Sequence, residues 1–342
     1  RSAPKPTRKK RFVSRGNKKY VYRVGLAILI FILASIFLGT LGFIRYINKG
    51  FTSALSGSSD YSILGDKFPT LSYIVVDKLD SDPVMVKRLV YIVFDREGNK
   101  VTNYSIPVNL KVDLAGKYGE EEISKAFALG SLNSEDPLKD GVNVINNTLF
   151  RLVSFKVDKY LLVDEEKSPL FDELLGNGSF LDIFKFRQVV ESREHFRTNL
   201  NVNEFYYLFN FIKSLPDDRL FSKDYESFET DVDDLNSGMP MVSEGKNIAV
   251  LNGSDVSGIA GFGARVVANL GGRVVAVGNS DKPYSASMII ADDPNSVSAT
   301  TLSRVFGIKQ VYKKGQTNVS EHELDRSDIV VILGFDTSSE LY

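Results

Sequence analysis

The chain has 342 residues, enough for about two ordinary domains, with 43% apolar residues, 25% charged residues and a net charge of −1. That composition excludes a disordered or collagen-like chain. Zero Cys excludes disulfides, thiol nucleophiles and Cys-bound zinc, and the two histidines, His195 and His322, are too far apart in sequence for a His-rich metal site.

Residues 1–23 hold ten basic residues and no acid, which leaves −11 for the other 319. A phosphate-tracking surface needs clustered Lys and Arg, so no nucleic-acid partner is expected for the body. Val24 to Ile44 (VGLAILIFILASIFLGTLGFI) then runs without a charge. At ~1.5 Å per residue a helix of this length spans ~31 Å, the thickness of a hydrocarbon core. Tyr20, Tyr22 and Tyr46 stand where an aromatic belt would lie. Eight Lys and Arg between Arg8 and Arg23 precede the stretch, whereas only Arg45 and Lys49 follow closely. The positive-inside bias therefore predicts a single-pass plasma-membrane anchor at 24–44, a basic cytoplasmic tail at 1–23, and residues 45–342 outside.

Residues 45–60 read as a juxtamembrane spacer. Residues 61–228 form the first expected domain. Leu71–Leu79, Arg88–Asp95, Val101–Ile106 and Tyr160–Val163 are strand-like runs rich in Val, Ile and Tyr. Glu120–Leu129, Val142–Leu152 and Asn203–Ser214 are expected helices, the last with Asn201 or Asn203 as N-cap and Pro216 past its end. Residues 229–246 (ETDVDDLNSGMPMVSEGK) are acidic, with Gly, Pro and Ser, and read as a linker. Residues 247–337 form the second expected domain. Its strands fall at Asn247–Leu251, Arg273–Val277, Ser285–Ala291, Lys309–Tyr312 and Ile329–Leu333. Its helices fall at Gly258–Leu270 and Ser296–Phe306, with Ser296 as N-cap and Gly307 at the C-terminal end. The fold class is α/β (α+β): one transmembrane helix, then two extracytoplasmic mixed α/β domains.

The polar turn Asn252-Gly253-Ser254-Asp255-Val256-Ser257-Gly258 lies between a strand and a helix. Asn252, Gly253, Ser254, Ser257 and Gly258 are candidate ligand contacts there, because amides at a helix N-terminus favour an anion or a sugar hydroxyl. An ordinary capped turn is the plainer account. The GxGxxG spacing and the Walker Lys are missing, so nucleotide binding is disfavoured. Gly278 and Asn279 form a second polar turn that could face the first. His195 and His322 lack HExxH spacing, and Asp231-Val232-Asp233-Asp234 lacks the Gly and distal Glu of a calcium loop; no metal ligand is expected.

These residues resemble a known family. IAVLNGSDVSGIAGFGARVVANLGGRVVAVGNS and the closing DIVVILGFD are similar to the C-terminal domain of LytR-type proteins. The first domain resembles a degenerate LytR–CpsA–Psr domain in Tyr104-Ser105-Ile106-Pro107, in Ile123–Ala128, in Val157–Asp164 and in Thr198–Glu204. The resemblance implies an enzyme that moves a polyprenyl-pyrophosphate-linked glycopolymer onto peptidoglycan, with a metal ion and arginines clamping the pyrophosphate. The family's Arg-Asp after Ser-Ile-Pro is Val108-Asn109 here, its acidic residue before the first core strand falls near Pro69-Thr70, and of its Arg-rich stretch only Arg187, Arg193 and Arg197 remain.

The expected function is therefore a non-catalytic, membrane-anchored envelope protein that binds a cell-wall glycan or an envelope partner, with no catalytic residue and no cofactor. One alternative is a Mg-dependent glycopolymer phosphotransferase whose clamp is rebuilt from Lys111, Arg151 or Arg187. A second is a structural ectodomain that dimerises or binds another membrane protein.

Overall fold

The computed structural model describes residues 16–48, 51, 62–176, 183–236 and 238–342. The expected tail is described only from Gly16, and most of the expected spacer, all but 45–48 and Phe51, lies outside the described residues. The chain divides into two compact units, Arg1–Lys49 and Gly50–Tyr342.

The first unit contains one helix, α1 (Gly16–Asn48). Its stretch Tyr22–Gly42 has a mean hydropathy of 2.7, none of it buried, and is long and apolar enough to cross a membrane.

In the second unit, β1 (Thr70–Val76), β2 (Val86–Asp95) and β3 (Lys100–Ile106) form an antiparallel meander. A hairpin follows, β4 (Lys111–Leu114) with β5 (Gly119–Glu122). The helix expected from Glu120 thus begins later, as α2 (Ala126–Ser131), because Glu120–Glu122 pair with β4. The helix α3 (Pro137–Val153) is capped by the Asp136 carboxylate, which accepts from the Lys139 amide, and ends at Ser154 with φ +50°. Next come β6 (Lys159–Asp164), α4 (Ser168–Leu175), α5 (Ile183–Glu191), β7 (Phe196–Thr198), α6 (Val202–Ser214) and β8 (Leu220–Asp224). A capping box starts α6: Asn201 accepts from the Glu204 amide, and Glu204 accepts from the Asn201 amide. The sheet order is β7-β6-β1-β2-β3-β8.

Strand alternation gives this sheet two apolar faces. Ile74, Val76, Tyr91, Val93, Tyr160 and Leu162 face α3. Tyr73, Val75, Ile92, Phe94, Leu161 and Val163 face α4, α5 and α6. Phe51 belongs to this second face, its ring 4.9 Å from Phe205 and 5.6 Å from Phe196.

Residues 229–246, expected as a linker, hold α7 (Phe228–Asn236) and α8 (Pro240–Glu244) instead. Phe228, Val232, Leu235, Met239 and Met241 are buried in the same core as Ile74 and Tyr91. Glu229, Asp233 and Asp234 are exposed on α7 and hide its apolar stripe from a reading by composition.

The remaining elements are β9 (Asn247–Asn252), α9 (Ile259–Asn269), β10 (Arg273–Asn279), β11 (Met288–Ala291), α10 (Val297–Val305), β12 (Gln310–Lys313), β13 (Ile329–Leu333) and α11 (Phe335–Leu341). The five strands lie in the order β10-β9-β13-β11-β12. β11 starts at Met288 rather than Ser285, because Tyr284–Ser287 packs as irregular backbone against Gly334: a Cβ on Gly334 would stand 2.7 Å from the Tyr284 carbonyl oxygen. Ser296 caps α10, and Gly307 takes φ +66° past its end. The core is continuous across both sheets: Phe150 of α3 meets Phe262 of α9 at 5.1 Å and Phe306 at 6.2 Å, both edge to face.

Glu244 of α8 fastens this junction. Its carboxylate accepts from the Val297 and Ser298 amides and from the Ser298 hydroxyl at 2.6–2.8 Å, filling the N-terminus of α10. Burial opposes its ionisation, but these bonds outweigh burial and hold its pKa below the ordinary 4.5. The depressed pKa makes the carboxylate stabilising above its unfolded pKa, and that contribution disappears as pH falls through the folded value. Glu244→Gln is expected to cost about 1 kcal/mol at pH 7. Melting curves should show the gap to the parent closing as pH is lowered well below 4.5; a gap independent of pH would refute the assignment.

Candidate functional site

Parallel strands β9 and β10 end together, with Asn279 opposite Asn252 and Gly278 opposite Leu251. The two polar turns are therefore side by side, and the Ser280 hydroxyl and amide both donate to the Asn252 carbonyl at 3.0 Å. Within the first turn the polar groups are used internally. The Asn252 side-chain oxygen accepts from the Ser254 amide and hydroxyl, each at 2.9 Å, and its amide nitrogen donates to the Val256 carbonyl at 3.0 Å. Gly253 is required by close approach: a Cβ there would stand 2.9 Å from the Ile332 side chain and 3.2 Å from the Leu333 oxygen. Gly258 adopts φ +87° immediately before α9, a conformation that favours glycine. Gly278 has open space around it, and Ser257 is exposed at the turn. The geometry is that of a self-satisfied β–α turn with an open rim at Ser257 and Gly278.

The three cations of the alternative clamp do not converge. Arg151 lies on α3, donates to the Asp113 carboxylate and to the Asp113 and Leu341 carbonyls at 2.9–3.0 Å, and stacks 3.9 Å from the Tyr342 ring. Arg187 lies on α5, exposed, and bonds Glu191 at 2.6 Å. α3 and α5 pack on opposite faces of the first sheet. Lys111 is on β4, opposite Glu122 in the hairpin. His195 is half-buried, with Nδ1 2.9 Å from the buried Asp164 carboxylate. Among the described residues no three His, Asp or Glu side chains are grouped to hold a metal ion.

The larger cavity is elsewhere, at the junction of the two sheets. It measures about 410 Å³ and is walled by Asp66 and Lys67 before β1, by Lys156, by the start of α8, by Leu270 and by Thr300, Thr301 and Arg304 of α10. Lys156 is 5% exposed and pairs with Asp66 and, at 3.0 Å, with Asp158. Arg304 Nη1 is 3.5 Å from each of these carboxylates. Lys67 pairs with Glu97. No motif marks this site, since its groups are separated by up to 238 positions. The one local hint is Lys156 and Asp158, charges pressed against the apolar run Tyr160–Val163. A smaller cavity of about 140 Å³ lies beside Tyr104, Lys223 and Asp231. Burial and the Asp231 carboxylate, 2.8 Å away, raise the Tyr104 pKa above its ordinary value.

Comparison with solved structures finds low likenesses. The LytR-CPS2A-psr family protein YwtF (TagT) with bound octaprenyl pyrophosphate lipid is 15% identical, with a TM-score of 0.33 over 48% of this chain and 80% of that one. TagV of B. subtilis is 13% identical, with a TM-score of 0.35 over 46% and 84%. Protein gbs0355 of Streptococcus agalactiae is 11% identical, with a TM-score of 0.38 over 49% and 80%. No curated protein matches the chain. Residues 246–336, about a quarter of the chain, match the family model described as LytR cell envelope-related transcriptional attenuator. The second sheet and its helices are thus a LytR C-terminal domain. The match concerns this domain and not the first sheet.

Proposed function

We propose that the chain is a single-pass envelope protein, with its N-terminus in the cytoplasm, whose outer body binds cell-wall glycan and carries out no phosphotransfer. The dispersal of the cations supports this reading most. A pyrophosphate leaving group needs several positive groups, or a metal, directed at one point. Arg151 and Arg187 lie on opposite faces of a sheet, and each is engaged by a carboxylate. The LytR C-terminal domain and the apolar helix Tyr22–Gly42 support an envelope location.

The full chain in detergent is expected to sediment with purified peptidoglycan and to transfer nothing from a polyprenyl-pyrophosphate-linked glycan in the presence of Mg²⁺. Mg²⁺-dependent transfer would establish the phosphotransferase alternative. A specific observation favours the interaction alternative as a second reading: β10 is an edge strand with Val275 44% and Val277 51% exposed. Cross-linked dimers in membranes, without sedimentation on peptidoglycan, would support it over the first.

A further inference from the structure

We propose that the 410 Å³ cavity between α8, α10 and the residues before β1 is a binding site for a neutral, hydroxyl-rich sugar. The proposal deepens the glycan-binding reading and rests on it. The volume lies in the range of about 300–1,000 Å³ usual for small-ligand sites.

The charges argue for neutrality. Lys67, Lys156 and Arg304 are matched by Glu97, Asp66 and Asp158 within ion-pair distance. A phosphate or pyrophosphate entering here would meet three cations already paired, with Asp66 of the wall and with Asp158 and Glu97 outside the lining, and would have to compete with those carboxylates for them. What the site offers is directional hydrogen bonding. The Lys156 ammonium has three N–H donors. Only two acceptors, the Asp66 and Asp158 carboxylates, are within reach among the described residues. The third donor belongs to a buried group lining the cavity, where an unmatched donor is costly unless a ligand or water oxygen meets it. The Thr301 hydroxyl makes no bond within the protein among the described residues. Its neighbour Thr300 donates backward to the Ser296 and Val297 carbonyls, which leaves its oxygen as an acceptor. Met239, Met241 and Leu270 supply an apolar floor. Spare donors and acceptors around an apolar floor suit a sugar ring, which has hydroxyls at its rim and C–H groups on its faces.

Two substitutions on the half-buried face of α10 test this without touching the ion pairs. Thr301→Val removes one hydroxyl at constant shape, and Thr301→Phe fills the space. The probes are the β-linked trimer of N-acetylglucosamine and inorganic pyrophosphate, titrated calorimetrically into the full chain in detergent. Sedimentation on purified peptidoglycan is measured alongside, and melting curves confirm that both variants fold. The trimer is expected to bind the parent, to bind Thr301→Val about 3–10-fold more weakly, the worth of one neutral hydrogen bond, and to be lost with Thr301→Phe. Pyrophosphate is expected not to bind. Failure of the trimer to bind the parent, or equal binding by Thr301→Phe, overturns the cavity assignment. The glycan-binding reading survives either result if peptidoglycan sedimentation persists, and falls with it if sedimentation is absent from the parent too. Pyrophosphate binding that Thr301→Phe abolishes overturns the neutral class of ligand.

Discussion

Lys159→Met is expected to destabilise the second unit, Gly50–Tyr342, by about 3–5 kcal/mol. Lys159 is 3% exposed and its ammonium is 3.0 Å from the carboxylate of Glu204, which is 1% exposed. That carboxylate also accepts from the Ile63 amide at 3.2 Å and the Asn201 amide at 3.0 Å, so one group joins β6, the start of α6 and the turn before β1. Removing the ammonium leaves a buried anion whose remaining partners are amide dipoles. Adding Glu204→Gln removes the charge and keeps a carbonyl oxygen for one of the two amides, since Ile63 donates to Oε1 and Asn201 to Oε2. The double variant should therefore recover part of the loss, although it has two substitutions instead of one, and the remainder reports the amide left without an acceptor. Urea unfolding of the full chain in detergent, at pH 7 and two salt concentrations, measures both. A Lys159→Met variant within about 0.5 kcal/mol of the parent would show that the pair contributes nothing.

The chain-order reading succeeded where the signal is local. Ser296 before an apolar helix and Gly307 after it define α10, because a hydroxyl satisfies the first amides and a glycine tolerates positive φ. Of the two N-cap candidates for α6, Asn201 is the one used, and Glu204 three residues on completes a capping box with it. The candidate contacts already have partners in the fold, some within one turn and some distant in sequence. Asn252 and Ser254 look like ligand contacts in sequence, yet their polar atoms bond one another and the Val256 backbone. Arg151 looks available for phosphate, yet it secures α3 to β4 and to α11. The cavity at the sheet junction left no more than the hint at Lys156 and Asp158. Asp66, Lys156 and Thr301 carry no shared spacing, and only the packing of α8 and α10 brings them to one wall.

Phe228→Ala should cost about 3–5 kcal/mol, a core-sized loss at a position whose neighbourhood has the composition of a linker. The ring is 2% exposed and meets Tyr104 at 5.1 Å and 87°, Tyr91 at 5.5 Å and 76°, and Phe155 at 5.7 Å. Truncation opens a void between the meander strands and α7 that backbone can fill only by moving the helix. Helix movement would reach Val232, Leu235 and, past the end of α7, Met239 and Met241, which support α9 and the cavity floor. The loss should therefore appear in the LytR C-terminal domain as well as in the first sheet. Hydrogen exchange on the full chain distinguishes the outcomes: faster exchange in both β1–β3 and β9 marks one cooperative core, whereas faster exchange confined to β1–β3 would mean that the two sheets unfold independently. A loss below about 1 kcal/mol would return residues 229–246 to the status of a tether, since exposed positions remote from the core tolerate truncation within that margin. The same substitution leaves Thr301 and the ion pairs at Lys156 in place, so any weakening of sugar binding in Phe228→Ala would report the floor of the cavity rather than its polar wall.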